Sequence, residues 1–200
     1  MKNDENITKS KLQNDNKEQK IAAEDHAIIN RVLYESTEAY RLLVAKYQIP
    51  VYNLLLRMVH DRDDAKELTQ EVFVKAYEAL PSFRFEYRFF SWLYRIAINL
   101  ALSHIKKQRQ YVGLEQIKNF AEETNEKDTE NENHLKMAVE KLKDKYKTVI
   151  VLKYYQQLSY KEVAVVLDIS EKKVRSRLYD ARMQIKEMLE TSSYYLKQQA

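Results

Sequence analysis

From Tyr40 the apolar residues fall at Tyr40, Leu43, Val44, Tyr47, Val51, Leu54, Leu55 and Met58, in steps of three and four. That is the spacing of an α-helix with one buried stripe. Pro50 lies inside it and predicts a kink, because proline removes a backbone donor and crowds the preceding turn. His60 and Asp61 end the stripe, and Asp61, Asp63 and Asp64 then crowd the place where a helix dipole favours negative charge. A second helix follows, burying Ala65, Leu68, Val72 and Ala76 and stopping at Pro81. The segment Ser82–Phe90 (SFRFEYRFF) is too aromatic for an ordinary solvated loop. A third helix is predicted from about Ser91, with Leu93, Ile96, Ala97 and Leu100 inside and the basic run HIKKQRQ at its end. Three such helices can share one core.

Between Tyr111 and Asn133 the periodicity fades, while seven carboxylates, Glu115 to Glu132, face only Lys118 and Lys127. Such a stretch reads as an acidic linker. Beyond it Leu135, Ala138, Val139 and Leu142 make one short stripe, and Tyr146, Val149, Ile150 and Tyr154 another. Ser159 followed by Glu162 forms a capping box, so a short helix starts there. It halts at Asp168-Ile169, and Ser170 opens another helix carrying Val174, Leu178, Ala181 and Ile185. Two helices joined by so short a turn match a helix-turn-helix. The expected organisation is all-α: a disordered tail over 1–26, a helical bundle over 27–110, a flexible linker over 111–134 and a helix-turn-helix unit over 135–195.

Composition narrows the chemistry. One glycine and two prolines in 200 residues leave little for hairpins or phosphate-binding glycine loops. With no cysteine, disulfides, thiolate catalysis and cysteine-ligated zinc are excluded, and the four histidines are too scattered for a metal site. No metal and no cofactor is expected. No acid–base pair or activated nucleophile appears at usable spacing, which argues against an enzyme. The polar N-terminus cannot be a signal peptide and no apolar run would span a membrane, so a cytoplasmic location is expected. The net charge of +4 says little by itself. Its placement says more: on the last helix, Lys172 and Ser176 lie opposite the apolar stripe, and Lys173, Arg175, Arg177, Tyr179 and Arg182 flank it. Those side chains suit phosphates and base edges in a major groove. A solvated, lysine-rich surface helix would look the same, and Asp180 speaks for that reading.

Three segments, DDAKELTQEVFVKAYEALPSF, FFSWLYRIAINLALSHIKK and LKDKYKTVIVLKYYQQLSYKEVAVVLDISEKKVRSRLYDAR, together resemble regions two and four of the extracytoplasmic-function sigma factors of bacterial RNA polymerase, over about residues 35 to 190. The resemblance implies a specificity subunit that directs polymerase to promoters and opens them. It implies that Glu67, Gln70 and Glu71 meet the clamp helices of the largest polymerase subunit, and that region four meets the flap. Phe83 and Asn99 match positions lining the pocket for a flipped minus-ten base, and Trp92 matches a wedge against the duplex end; Tyr87, Arg88, Arg95 and Lys106 complete that surface. Trp92, Arg95, Asn99, Ser103 and Lys106 fall on one helical stripe away from Leu93 and Ile96, as an exposed working surface requires. The last helix becomes the reader of the minus-thirty-five element, and the acidic linker threads toward the RNA exit path. An anti-sigma protein, often membrane-anchored in the family, is the expected regulator.

The chain departs from the family pattern at Phe85-Glu86, where a glycine-aspartate pair is common, and at Ser103 for an aspartate. Lys143 replaces a frequent proline, Asp168 the turn glycine and Lys173 a threonine. A stand-alone helix-turn-helix regulator is the competing reading; it would bind duplex DNA without polymerase, usually as a dimer.

Overall fold

The computed structural model describes residues 19–112 and 130–199. These residues form eight α-helices: α1 (19–34), α2 (Tyr40–Val59), α3 (Arg62–Ala79), α4 (Phe89–Val112), α5 (Glu130–Glu140), α6 (Asp144–Ile150), α7 (Tyr160–Leu167) and α8 (Glu171–Gln199). No strand occurs among them, and none of these helices is long and apolar enough to cross a membrane.

Local chemistry sets the helix ends. α2 runs through Pro50 and closes at His60, whose backbone is left-handed (φ 59°). Asp61 then caps α3 by accepting from the N–H groups of Asp63 and Asp64, both at 2.9 Å. This uses two of the four orphan donors of the new helix. Pro81 falls in the single 3₁₀ turn Leu80–Ser82 that ends α3, where its missing N–H does no harm. The loop to α4 forms without a left-handed residue at Phe85 or Glu86, so the family's glycine is not required here. α2, α3 and α4 then pack together over Leu43, Leu54, Leu55, Val72 and Leu93, all fully buried.

The expected disordered tail is corrected for its last eight residues. Positions 19–26 are the first turns of α1, and Asp25 is only 1 % exposed. Its carboxylate accepts from Lys46 Nζ at 2.6 Å and from the Tyr47 hydroxyl at 2.5 Å. A buried charge persists only when such partners satisfy it. The pairing lies 21 and 22 residues away along the chain, out of reach of local periodicity. Residues 1–18 lie outside the described residues, as do 113–129 of the expected linker. The flanks of that linker are helical: 111–112 end α4, and α5 starts at Glu130 rather than Leu135. Acidic residues suit a helix start as well as a linker, which is why composition misplaced the boundary.

In the second half α6 continues into one π-helical turn, Val151–Tyr155. Lys143 takes the N-cap position of α6 with φ −61°, the angle a proline would impose, so the backbone survives the exchange. Ser159 and Glu162 form the predicted capping box, at 3.2 and 2.7 Å. Asp168 ends α7 in the left-handed region (φ 54°), as the family's glycine would. Ser170 Oγ accepts from the Lys173 N–H at 3.2 Å to open α8.

The two halves are not merely tethered. α4 packs on α7, and buried residues of both halves form one continuous apolar cluster. Polar contacts line the seam. Arg88 meets Glu162 at 2.7 Å, Arg95 donates to the Val165 carbonyl at 2.5 Å, and Tyr94 donates to Gln156 at 3.0 Å. Arg109 makes a two-pronged contact with Asp144, each arm 2.8 Å. The Arg57 guanidinium lies 3.9 Å from the centre of the Tyr155 ring.

The Asp25 cluster yields a stability test. Asp25→Ala leaves the buried Tyr47 hydroxyl without its acceptor, and should cost about 2 kcal/mol. Urea unfolding followed by circular dichroism checks it; an unchanged midpoint would show α1 to be dispensable.

Candidate nucleic-acid interface

The aromatic segment before α4 folds inward. The Phe83 ring is 6 % exposed and contacts the rings of His26, Phe85, Phe89 and Trp92 at centroid distances of 5.8, 5.4, 6.0 and 5.4 Å. Phe83, which the resemblance puts in the lining of the base pocket, is thus covered by these rings. In this conformation it is core, because four aromatic edges offer it more contact than water does. Trp92 is half-buried in the same cluster, while Tyr87 stays 40 % exposed beside Arg84.

Along α4 the predicted stripe is split by the second half of the chain. Asn99, Ser103 and Lys106 are exposed, but Arg95 turns toward the end of α7, reaching the Val165 carbonyl and lying 3.5 Å from Asp168. Arg88 points to Glu162. Asn99 and Lys106 line a cleft of ≈ 910 Å³ together with Lys145 and Arg177 from the other half. The structure thus brings residues predicted for two separate DNA elements to one cleft.

On α8 the division of labour is cleaner. Val174, Leu178 and Ala181 are buried, whereas Lys172 and Ser176 are exposed on the opposite side and Lys173 and Tyr179 are exposed beside them. Arg175 sits over the Tyr160 ring at 4.4 Å and lies 3.6 Å from Glu171. Arg177 is half-buried at the cleft, and Arg182 is exposed with its Nε donating to the Leu178 carbonyl at 3.1 Å.

Glu67, Gln70 and Glu71 are exposed on α3, with Glu71 3.4 Å from Lys75. Sequence reasoning missed their apolar neighbours. Val74 is 57 % exposed and Tyr77 41 % exposed, three to ten positions along the same helix. Large apolar side chains left in water on a polar helix face suit a protein partner. The signal was present as breaks in the α3 stripe, but periodicity alone does not say which side of a helix is covered. Among the described residues no cluster of three or more His, Asp or Glu could hold a metal ion.

Two family models match this chain: Sigma-70 region 2 over residues 43–111 and Sigma-70, region 4 over residues 133–185. The RNA polymerase sigma-H factor of Pseudomonas aeruginosa is 33% identical over 182 residues, covering 84% of this chain and 94% of its own. The chain belongs to the extracytoplasmic-function sigma factors. The ECF RNA polymerase sigma-E factor of Escherichia coli K12 is likewise 33% identical, over 79% of this chain and 90% of its own. Among solved structures, CnrH in complex with the cytosolic domain of CnrY aligns with a TM-score of 0.61 at 22% identity, covering 84% of this chain and 97% of that one. The sigma factor RpoE of Bartonella quintana, solved with the anti-sigma factor NepR, aligns at 0.63 and 20% identity, covering 76% and 96%. At those identities the structures support the fold. As a member of the family, this sigma factor binds RNA polymerase and directs initiation at promoters.

The burial of Phe83 makes a prediction. Phe83→Ala should lower stability by about 3 kcal/mol through the cavity it leaves. An exposed base platform would lose almost nothing, and thermal unfolding of the two proteins distinguishes them.

Proposed function

We propose that the sigma factor reads the minus-thirty-five element with the outer face of α8 and melts the minus-ten element with α4 and the loop before it. The observation that carries the proposal is the sidedness of α8. Lys172 and Ser176 stand in water opposite a stripe anchored in the core, with Lys173 and Tyr179 exposed to either side, as a helix laid in a major groove requires. Lysine ammoniums there supply phosphate attraction, while Ser176 and Tyr179 supply hydrogen bonds to bases or backbone. Arg175, Arg177 and Arg182 on the flanks serve the adjacent phosphates.

For melting, Asn99 offers both a donor and an acceptor to the edge of an extruded base, and Tyr87 and Trp92 offer rings for stacking. Lys106, Arg88 and Arg95 are placed to hold the backbone of the separated strand, the last two once released from α7. Phe83 supports this pocket from beneath. Glu67, Gln70 and Glu71, together with Val74 and Tyr77, form the polymerase-facing side of α3, joining charge to apolar contact. The sigma factor acts as a positioning subunit in the cytoplasm, without catalysis of its own. An anti-sigma protein holding regions two and four together is its regulator; the related folds solved with CnrY and NepR support this.

Transcription by core polymerase on a promoter library tests the reading. Asn99→Ala should reduce open complexes, probed by permanganate, about tenfold or more, the loss of one base-edge contact. Lys173→Ala should weaken promoter binding and lower the salt dependence of log K by about one unit. Core-independent binding to duplex DNA, with no initiation on adding core, would overturn the proposal.

A further inference from the structure

The seam between the two halves carries a partly buried histidine, His60. His60 closes α2 with its side chain 19 % exposed, and its imidazole reaches α5 and α6. Lys147 Nζ of α6, in a residue only 8 % exposed, donates to His60 Nε2. The other ring nitrogen, Nδ1, is buried without a hydrogen-bond partner, 3.7 Å from the Glu140 carboxylate of α5. An ammonium can donate only to an unprotonated nitrogen, so this contact requires neutral imidazole with its hydrogen on Nδ1.

The surrounding charges favour the same state. Arg57 lies one turn earlier on α2 and is pinned against Tyr155. Among the described residues Glu140 faces His60 with negative charge, and Asp144 is engaged by Arg109 of α4. Burial first, then Lys147 and Arg57, push the His60 pKa from 6.5 down to about 4. Burial likewise lowers the pKa of Lys147, with Glu140 and Asp144 opposing that shift.

The closed form also stands in the way of the promoter. The two promoter elements, about 25 base pairs apart by their names, are separated by roughly 85 Å along B-DNA at 3.4 Å per pair. A compact chain of 200 residues has a radius of gyration of only roughly 16 Å. One closed molecule cannot touch both elements, and its Arg88 and Arg95 are already engaged by α7. The halves must part before the chain reads a promoter.

We propose that the His60–Lys147 contact is an acid-sensitive latch: protonation of His60 sets a second cation against Lys147, weakens the seam and shifts the chain toward the open form. The sign follows from linkage. A site held at a lowered pKa stabilises the closed form fully above the ordinary value and loses that contribution as pH falls toward the lowered one. Proton uptake therefore favours opening below pH 6.5 and saturates near pH 4. The conformational step rests on the seam alone; its effect on promoter access rests on the function proposed above.

The test uses the full chain, which lacks cysteine, with single cysteines introduced at the exposed positions Glu78 and Glu187 for fluorophore labelling. Single-molecule energy transfer is recorded at the urea concentration that gives equal closed and open populations at pH 7.5. The open-to-closed ratio should rise about tenfold on going to pH 5.5, the uptake of one proton by a site freed to its ordinary pKa. His60→Asn keeps a residue tolerant of left-handed backbone and should abolish the rise. Should that variant lose its helical circular dichroism, Lys147→Met decides instead: burial of the imidazole remains, but removing the opposing cation should cut the rise from about tenfold toward about sixfold. A ratio that does not change with pH in the parent chain, or that changes equally in the deciding variant, overturns the latch. DNA takes no part in this readout, so its failure leaves the promoter-reading proposal intact.

Discussion

The Glu162 carboxylate divides its two oxygens between the Ser159 backbone N–H, at 2.7 Å, and the Arg88 guanidinium, also at 2.7 Å. The first contact closes the capping box that starts α7; the second fastens α7 to the entrance of α4. Helix start and domain docking thus share one side chain. With α7 fixed at that angle, its end falls where Arg95 reaches the Val165 carbonyl, and Asp168 turns the chain into α8. The orientation of α8 relative to α4 follows from this shared anchor. Neither contact is strong in water, but partial burial of Arg88 and Glu162 raises the value of both.

α4 serves two masters. Leu93, Ala97 and Ala101 face the first bundle and are fully buried, while the opposite side carries the polar groups suited to DNA. In the closed form α7 covers the first turns of that polar side and leaves Asn99, Ser103 and Lys106 open. A surface built for phosphates offers guanidiniums, and a helix-turn-helix offers carboxylates and free carbonyls at its turns. The same cations that suit nucleic acid therefore find partners within the chain when nucleic acid is absent. The closed form also brings His60 into a buried, cation-lined corner that neither half would create alone.

Much of this protein was legible from its residues. Apolar spacing placed α2, α3, α4 and α8 and most of the residues they bury, since a helix with one wet side must repeat every 3.6 positions. On α4, however, Ile96 and Leu100 are only half-buried, and Ile98 and Ala101 lie in the core instead. Cap chemistry fixed the starts at Asp61, Ser159 and Ser170, because orphan N–H groups need acceptors close in sequence. Motif order and spacing identified the family, and α8's outer face followed from its core stripe. These are local properties, written within one or two turns of the chain.

Tertiary structure decided the rest. Asp25 draws residues 19–26 into order through partners on α2, Phe83 disappears into an aromatic cluster completed by His26, and Arg88 and Arg95 are claimed by α7. His60 looked like a helix terminator and is also a buried contact to Lys147. Each of these outcomes depends on a partner 21 to 87 residues away. Periodicity tells which face of a helix avoids water, but the burial of a charge or a ring is set by whichever distant element happens to satisfy it.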